Sequence, residues 1–124
     1  MDVMLMNKSY RIGYQFQNRV KKYLNTKGWH VITQPKSAFP DHLCWKWDGA
    51  LLETTIHNPR YSYEIIFVEC KVAKYLSKEE KERAVKILNE KQCSNFYVAY
   101  RKKYSRKIYF YEFFKNKSTK EVEL

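Results

Sequence analysis

Cysteine, glycine and proline are scarce in this 124-residue chain, at three of each. The cysteines, Cys44, Cys70 and Cys93, are odd in number, far apart and without a C-x-x-C pair. That excludes a disulfide framework and fits a reducing, cytoplasmic setting. So few glycines leave no Gly-rich phosphate loop, and no nucleotide cofactor is expected. No apolar run approaches the length of a bilayer span. Residues 1–6 are too short for the apolar region of a signal peptide and lack a basic start, so neither anchor nor leader is expected. His30, His42 and His57 lack the i,i+4 or Cys-paired spacing of a zinc site, and isolated histidines are ordinarily surface or satisfied core residues. Acidic residues are also few. Thirteen Asp and Glu stand against 24 Lys and Arg, a net charge of +11. Such an excess favours polyanionic partners, nucleic acid first and an anionic membrane second, with solubility alone as the plain alternative. A membrane binder would need one long basic helix face, and neither expected helix shows it clearly.

What is present is apolar and aromatic: 44% hydrophobic residues, and 17% Phe, Trp and Tyr. That composition predicts a folded chain with a core, long enough for one domain over residues 1–124 and too short for two. Asn7 or Ser9 can cap a first helix that runs to about residue 27 and stops at Gly28. Phe16, Val20, Tyr23 and Leu24 form its apolar stripe. A short strand over 29–33 follows, then a loop between Pro35 and Pro40. A second strand is expected over 41–47 with Asp48-Gly49 as a hairpin turn. Residues 51–56 are a strand or part of an irregular excursion, broken at Asn58-Pro59. The clearest strand covers 63–72. Ser77 with Glu80 is a capping-box signature for a helix over about 78–91, and its mixed charges over 78–83 read as a solvated face. Strands over 95–101 and 107–114 follow, joined by a basic turn, and the polar residues 115–124 read as a flexible tail. The large apolar groups on both faces of 108–114 suit core packing with dimer contact better than base stacking. The expected fold is α/β or α+β, a central mixed sheet flanked by helices.

The chemistry centres on Asp41, Glu69 and Lys71. Side chains at i and i+2 of a strand share a face, so Glu69 and Lys71 project together while Val68 and Cys70 face the other way. Asp41 opens the preceding strand, which a meander would place beside the end of the Glu69 strand. Two carboxylates and an ammonium would then meet at one sheet edge. Hard oxygen ligands suit Mg²⁺ or Mn²⁺, which polarise a phosphodiester and activate a bound water, with Lys71 orienting the water or stabilising the phosphate. Acid-x-Lys alone is a weak signal, since roughly two matches arise by chance in such a composition and two occur. Glu79/Lys81 lies in an expected helix, where i and i+2 diverge. Glu69/Lys71 lies in an expected buried strand, a costly place for two charges without a function. An edge-strand ion pair with Asp41 as a turn residue is the structural alternative.

Pro40-Asp41 followed by the strand Ile65-Ile66-Phe67-Val68-Glu69-Cys70-Lys71 resembles the PD-(D/E)XK nuclease superfamily, a restriction-endonuclease-like core. The closer likeness is to the archaeal Holliday-junction resolvases. It covers about residues 9 to 101 and includes Gly13-Tyr14-Gln15-Phe16-Gln17, Gly28, Ser37-Ala38-Phe39-Pro40-Asp41 and Ala99-Tyr100-Arg101. The resemblance implies a Mg²⁺-dependent (or Mn²⁺-dependent) endonuclease acting on branched DNA as a two-fold dimer. It makes Asp41 and Glu69 metal ligands, the Cys70 carbonyl a further ligand, Lys71 the catalytic lysine and Ser37 the active-site loop serine. At the family's helix glutamate this chain has Gln17, an amide that supplies no negative charge and cannot act as a base. Lys8, Arg11, Arg19 and Lys22 on the first helix, with Lys102, Lys103, Arg106 and Lys107 at the basic turn, are expected to bind DNA phosphates. Two alternatives stay open: a nuclease acting on duplex, flap or single-stranded DNA, and a nucleic-acid-binding module that keeps the fold without catalysis.

Overall fold

The computed structural model describes residues 8–35, 38–53, 60–90 and 95–124. Helix α1 (Lys8–Thr26) is followed by strands β1 (His30–Thr33), β2 (His42–Glu53) and β3 (Arg60–Lys71), helix α2 (Lys78–Glu90), and strands β4 (Asn95–Arg101), β5 (Ile108–Phe113) and β6 (Thr119–Val122). The six strands form one sheet in the order β1-β2-β3-β4-β5-β6. β3 and β4 pair in parallel and every other neighbouring pair is antiparallel, which makes the sheet mixed, as expected. A parallel pair needs a crossover, and α2 supplies it.

Period-two patterning in the central strands sorts two cores, one on each face. Ile66 and Val68 of β3, Tyr97 and Ala99 of β4, and Phe110 of β5 pack with Phe16, Val20 and Leu24 of α1. On the other face Phe67, Phe96, Val98, Tyr100, Tyr111 and Phe113 pack with Ala84 and Leu88 of α2. The aromatic run of β5 is therefore mostly core, as its two apolar faces imply. α1 ends where the sequence stops it. Trp29 N donates to Leu24 O at 3.1 Å across Gly28, whose φ of +92° is a left-handed conformation that suits glycine.

Two expectations are corrected. Asp48-Gly49 is not a hairpin turn, because β2 continues through it to Glu53 while still pairing with β3. Register shifts between Trp47 and Glu53 absorb the glycine, so long-range strand pairing overrides the dipeptide's turn preference. Nor is 115–124 a free tail. Thr119–Val122 adds an edge strand to β5, Val122 and Leu124 pack against the α1-side core, and Tyr23 Oη donates to Leu124 O at 2.9 Å. Glu121 holds the strand further, accepting from Tyr100 Oη at 2.7 Å and pairing with Lys74 at 2.9 Å. Two apolar residues among eight polar ones hid this anchor from composition alone. Among the described residues no helix is long and apolar enough to cross a membrane.

Candidate active site

β2 runs antiparallel to β3 with His42 opposite Val68, so Asp41, just ahead of β2, arrives beside the C-terminal end of β3. The two are joined by direct bonds. Cys70 N donates to Asp41 Oδ2 at 2.9 Å, and Asp41 N donates to Glu69 Oε1 at 3.0 Å. The meander thus brings both carboxylates to one place. Glu69 is only 7% exposed. Burial, and then the Asp41 charge, push its carboxyl well above the usual carboxylate range. Without a cation between them, two carboxylates at this depth favour holding a proton on Glu69.

Gln17 of α1 meets this pair from the other side, its Nε2 donating to Asp41 Oδ1. The neighbouring His42 is 1% exposed and bolts α1 to the sheet. Its Nε2 lies 3.2 Å from the main-chain oxygen of Gln17 and its Nδ1 3.2 Å from Thr33 Oγ1. A carbonyl can only accept, so the proton sits on Nε2 and Nδ1 accepts from the threonine. Burial lowers the pKa of the ring and keeps it neutral. His42 is thus the satisfied core histidine that its isolated spacing implies. His30 is exposed and stacks on Trp45, while His57 lies outside the described residues.

Lys71 projects toward α2, and its Nζ donates to both oxygens of Glu80, at 2.9 and 3.0 Å. Glu80 is also the capping-box residue: Ser77 N donates to its Oε1 at 2.9 Å, and its own amide donates to Ser77 Oγ at 3.1 Å. Burial raises the Glu80 pKa, but the Ser77 amide and the Lys71 ammonium outweigh it and the carboxylate stays ionised. Reading 78–83 as a solvated face is therefore corrected at Glu80. The signal for its second role was a capping-box acid just beyond the loop that follows Lys71.

The oxygen donors of Asp41 and Glu69 fit a divalent cation of the Mg²⁺ class. Each Asp41 oxygen accepts one hydrogen bond and keeps a lone pair, and Mg²⁺ commonly takes one or two carboxylates and retains its waters. Among the described residues no group of three or more His, Cys, Asp and Glu gathers as a metal cage. Burial raises the pKa of the Cys70 thiol, which stays protonated, so this residue can offer a cation only its main-chain carbonyl. Ser37 lies outside the described residues. The eight expected phosphate-binding cations are all exposed: Lys8, Arg11, Arg19 and Lys22 on α1, and Lys102, Lys103, Arg106 and Lys107 in the β4–β5 turn. The two groups meet where Arg19 Nη2 donates to Arg106 O at 2.6 Å.

Two predictions follow from this electrostatics. In a chelator, wild-type stability should fall as pH rises above about 6.5, by up to about 1.4 kcal/mol per pH unit, because unfolded Glu69 has lost the proton that the native residue keeps. Below the ordinary histidine pKa of 6.5 the lowered His42 pKa contributes the opposite slope, since the unfolded ring takes up a proton that the buried ring refuses. Glu69→Gln should flatten the alkaline limb, as read by urea unfolding; a wild-type limb already flat would overturn the buried-pair electrostatics. Glu80→Gln keeps a capping-box side chain but loses the charge that faces Lys71. It should cost about 1–2 kcal/mol, and Glu80→Ala about 1 kcal/mol more through loss of the cap. A Glu80→Gln variant as stable as wild type would leave the ion pair without energetic weight.

No family model and no curated protein sequence matches the chain. Among solved structures, the chain is similar to the Holliday-junction resolvase of the archaeal hyperthermophile Archaeoglobus fulgidus, with a TM-score of 0.55 over 79% of this chain and 70% of that one, at 20% identity. The mixed six-stranded sheet with its two helices is the α+β fold of that resolvase, as the resemblance in the sequence implies.

Proposed function

We propose that this protein is a metal-dependent endonuclease that hydrolyses phosphodiester bonds in branched DNA, most closely a Holliday-junction resolvase, acting at Asp41, Glu69 and Lys71. The observation that carries this reading is the convergence of the Asp41 and Glu69 carboxylates through the Cys70 and Asp41 amides, two residues before a lysine on the same strand face. The fold of the archaeal resolvase supports it. Asp41, Glu69 and the Cys70 carbonyl would hold Mg²⁺ or Mn²⁺, which would supply Lewis-acid polarisation of the phosphodiester and a more acidic coordinated water. Lys71, placed by Glu80, stabilises the negative charge that develops on the phosphate. Gln17 orients Asp41 and takes no proton, because its amide is a donor to that carboxylate. The cations of α1 and of the β4–β5 turn hold the DNA backbone, with an affinity that falls with salt and carries no sequence preference.

A junction calls for two symmetric cuts, and the working unit is a homodimer. The surface that supports it is the β1–β3 part of the sheet on the α2 side. Register places His30, Ile32, Leu43, Trp45, Trp47, Tyr63 and Ile65 on one face there. Ile32, Trp47, Tyr63 and Ile65 are each 41–55% exposed, and none of the seven is an Asp, Glu, Lys or Arg. An uncharged apolar face on a chain of net charge +11 is the surface on which two copies meet with least repulsion.

With Mg²⁺, a synthetic four-way junction should receive paired symmetric nicks while a matched linear duplex stays intact, and Glu69→Ala should abolish the cuts. Equal cutting of both substrates would leave a nuclease without junction selectivity. Tight binding with no cleavage in Mg²⁺ or Mn²⁺ would overturn the catalytic reading in favour of a DNA-binding module. Light scattering should give twice the chain mass, and Ile65→Lys, beside Trp45 on the apolar face, should give a monomer. A wild-type monomer, or an Ile65→Lys dimer, would overturn that interface.

A further inference from the structure

The β4–β5 turn displays an aromatic ring that folding does not explain. Tyr104 is 96% exposed, and its φ of +65° lies in the left-handed region that non-glycine residues rarely adopt. An apolar ring in water on a strained backbone contributes nothing to the core, and such strain persists where the surroundings enforce it. Here they do. Ser105 N donates to Lys102 O at 3.1 Å, and Lys107 N to Ser105 Oγ at 3.2 Å. The ammonium groups of Lys102 and Lys107 lie 4.3 and 5.4 Å from the centre of the Tyr109 ring, and Arg19 pins the turn to α1 through the Arg106 carbonyl. The ring of Tyr104 is left facing solvent on a preorganised support, with Lys103 Nζ at 5.1 Å from its centre.

The turn also has a defined place. Lys71 pairs in register with Tyr100, so β4 leaves the sheet at the end where the acidic pair lies. Four residues of chain reach no farther than about 14 Å, which keeps Tyr104 within a few nucleotides of a phosphate bound at Lys71. A rigid, solvent-facing ring among cations fits a nucleobase that has lost its stacking partner, since every base offers a π-face and its phosphates find the lysines. Bases inside an intact duplex are stacked on both sides and offer no such face.

We propose that Tyr104 is a base-stacking finger, which takes up a nucleobase that has lost its stacking partner near the cleaved phosphate and so favours branched DNA over a continuous duplex. This rests on the nuclease reading above and names the feature of the substrate that the site selects. The test is binding of the full chain, in chelator, to two DNAs of equal length: a fork with unpaired arms carrying 2-aminopurine, and a blunt duplex. Tyr104→Asn is the informative variant, because asparagine tolerates the left-handed backbone and the turn keeps its shape. It should weaken fork binding about 5- to 100-fold and abolish the fluorescence quenching of 2-aminopurine. Duplex affinity should stay within about twofold and the salt dependence should not change, because no charge is removed. Tyr104→Phe should match wild type. Equal weakening on both DNAs, or on neither, would overturn the stacking role while leaving the nuclease reading in place. A wild-type chain that binds neither DNA at low salt would overturn both. One that binds the fork through Tyr104 in chelator, and cuts no branched DNA once Mg²⁺ or Mn²⁺ is added, would support the finger and overturn only the catalysis.

Discussion

The Asp41 carboxylate is the joint on which the candidate site depends. One oxygen accepts from the end of β3 and the other from α1, while its own amide donates to Glu69. Three elements distant in sequence are tied at one residue, and each bond uses a group whose alternatives are poor. The Cys70 amide lies at the strand end, and the Glu69 carboxylate is nearly out of solvent. Hydrogen bonds to a charged acceptor are roughly twice as strong as neutral ones, and burial makes losing any of them expensive. The geometry of a strand start, ordinarily a loose place in a fold, is therefore set to within the tolerance of hydrogen bonds.

That tightness has an electrostatic consequence. Two carboxylates are gathered where solvent screens them least, on a chain whose other charges are predominantly positive. The neighbouring ammonium does not quench the pair freely, because Lys71 is itself held by Glu80, an acid fixed by its helix cap. Acid and base are thus held in separate hydrogen-bond sets a short distance apart, one centred on Asp41 and one on Glu80. A site that stores unneutralised acidity is suited to a divalent cation, while the surrounding lysines and arginines are suited to a polyanion. The two preferences are complementary: a phosphate brought by the second becomes a ligand for the first.

Much of this was legible in the sequence because it depends on short-range rules. The β-branched and aromatic run Ile65-Ile66-Phe67-Val68 marks a central strand, the period of two along it fixes which side chains share a face, and the Ser77–Glu80 spacing marks a helix start. A meander of adjacent strands is enough to bring Asp41 to Glu69. What stayed hidden depends on pairing at a distance. Asp48-Gly49 has the chemistry of a turn, yet β3 is long enough to keep its partner strand extended through it. Val122 and Leu124 are too few to mark an element, and only the uncovered edge of β5 gives them a place. Glu80 satisfies its local role in full, so the capping box that marks it near Lys71 does not by itself reveal the ion pair. The left-handed backbone of Tyr104 leaves no mark in composition.

Gln17, where the resemblance in the sequence implies a glutamate, is consistent with the site around it. A glutamate there would place a third carboxyl beside two, one of which already has its pKa raised far above the ordinary value. An ionised carboxylate accepts and cannot donate, so it could not make the bond that Gln17 Nε2 gives to Asp41 Oδ1. Before a cation arrives, the amide therefore holds Asp41 in place at no cost in repulsion, and the site is shaped in advance. With a glutamate, His42 would still join the helix to the strand start, but the side chain of residue 17 could no longer orient Asp41. Compared with a glutamate, the amide would offer a cation one fewer charge and an Asp41 carboxylate already oriented to receive it. His42, bound to the main-chain oxygen of the same Gln17, makes that order a property of the core rather than of the ligand.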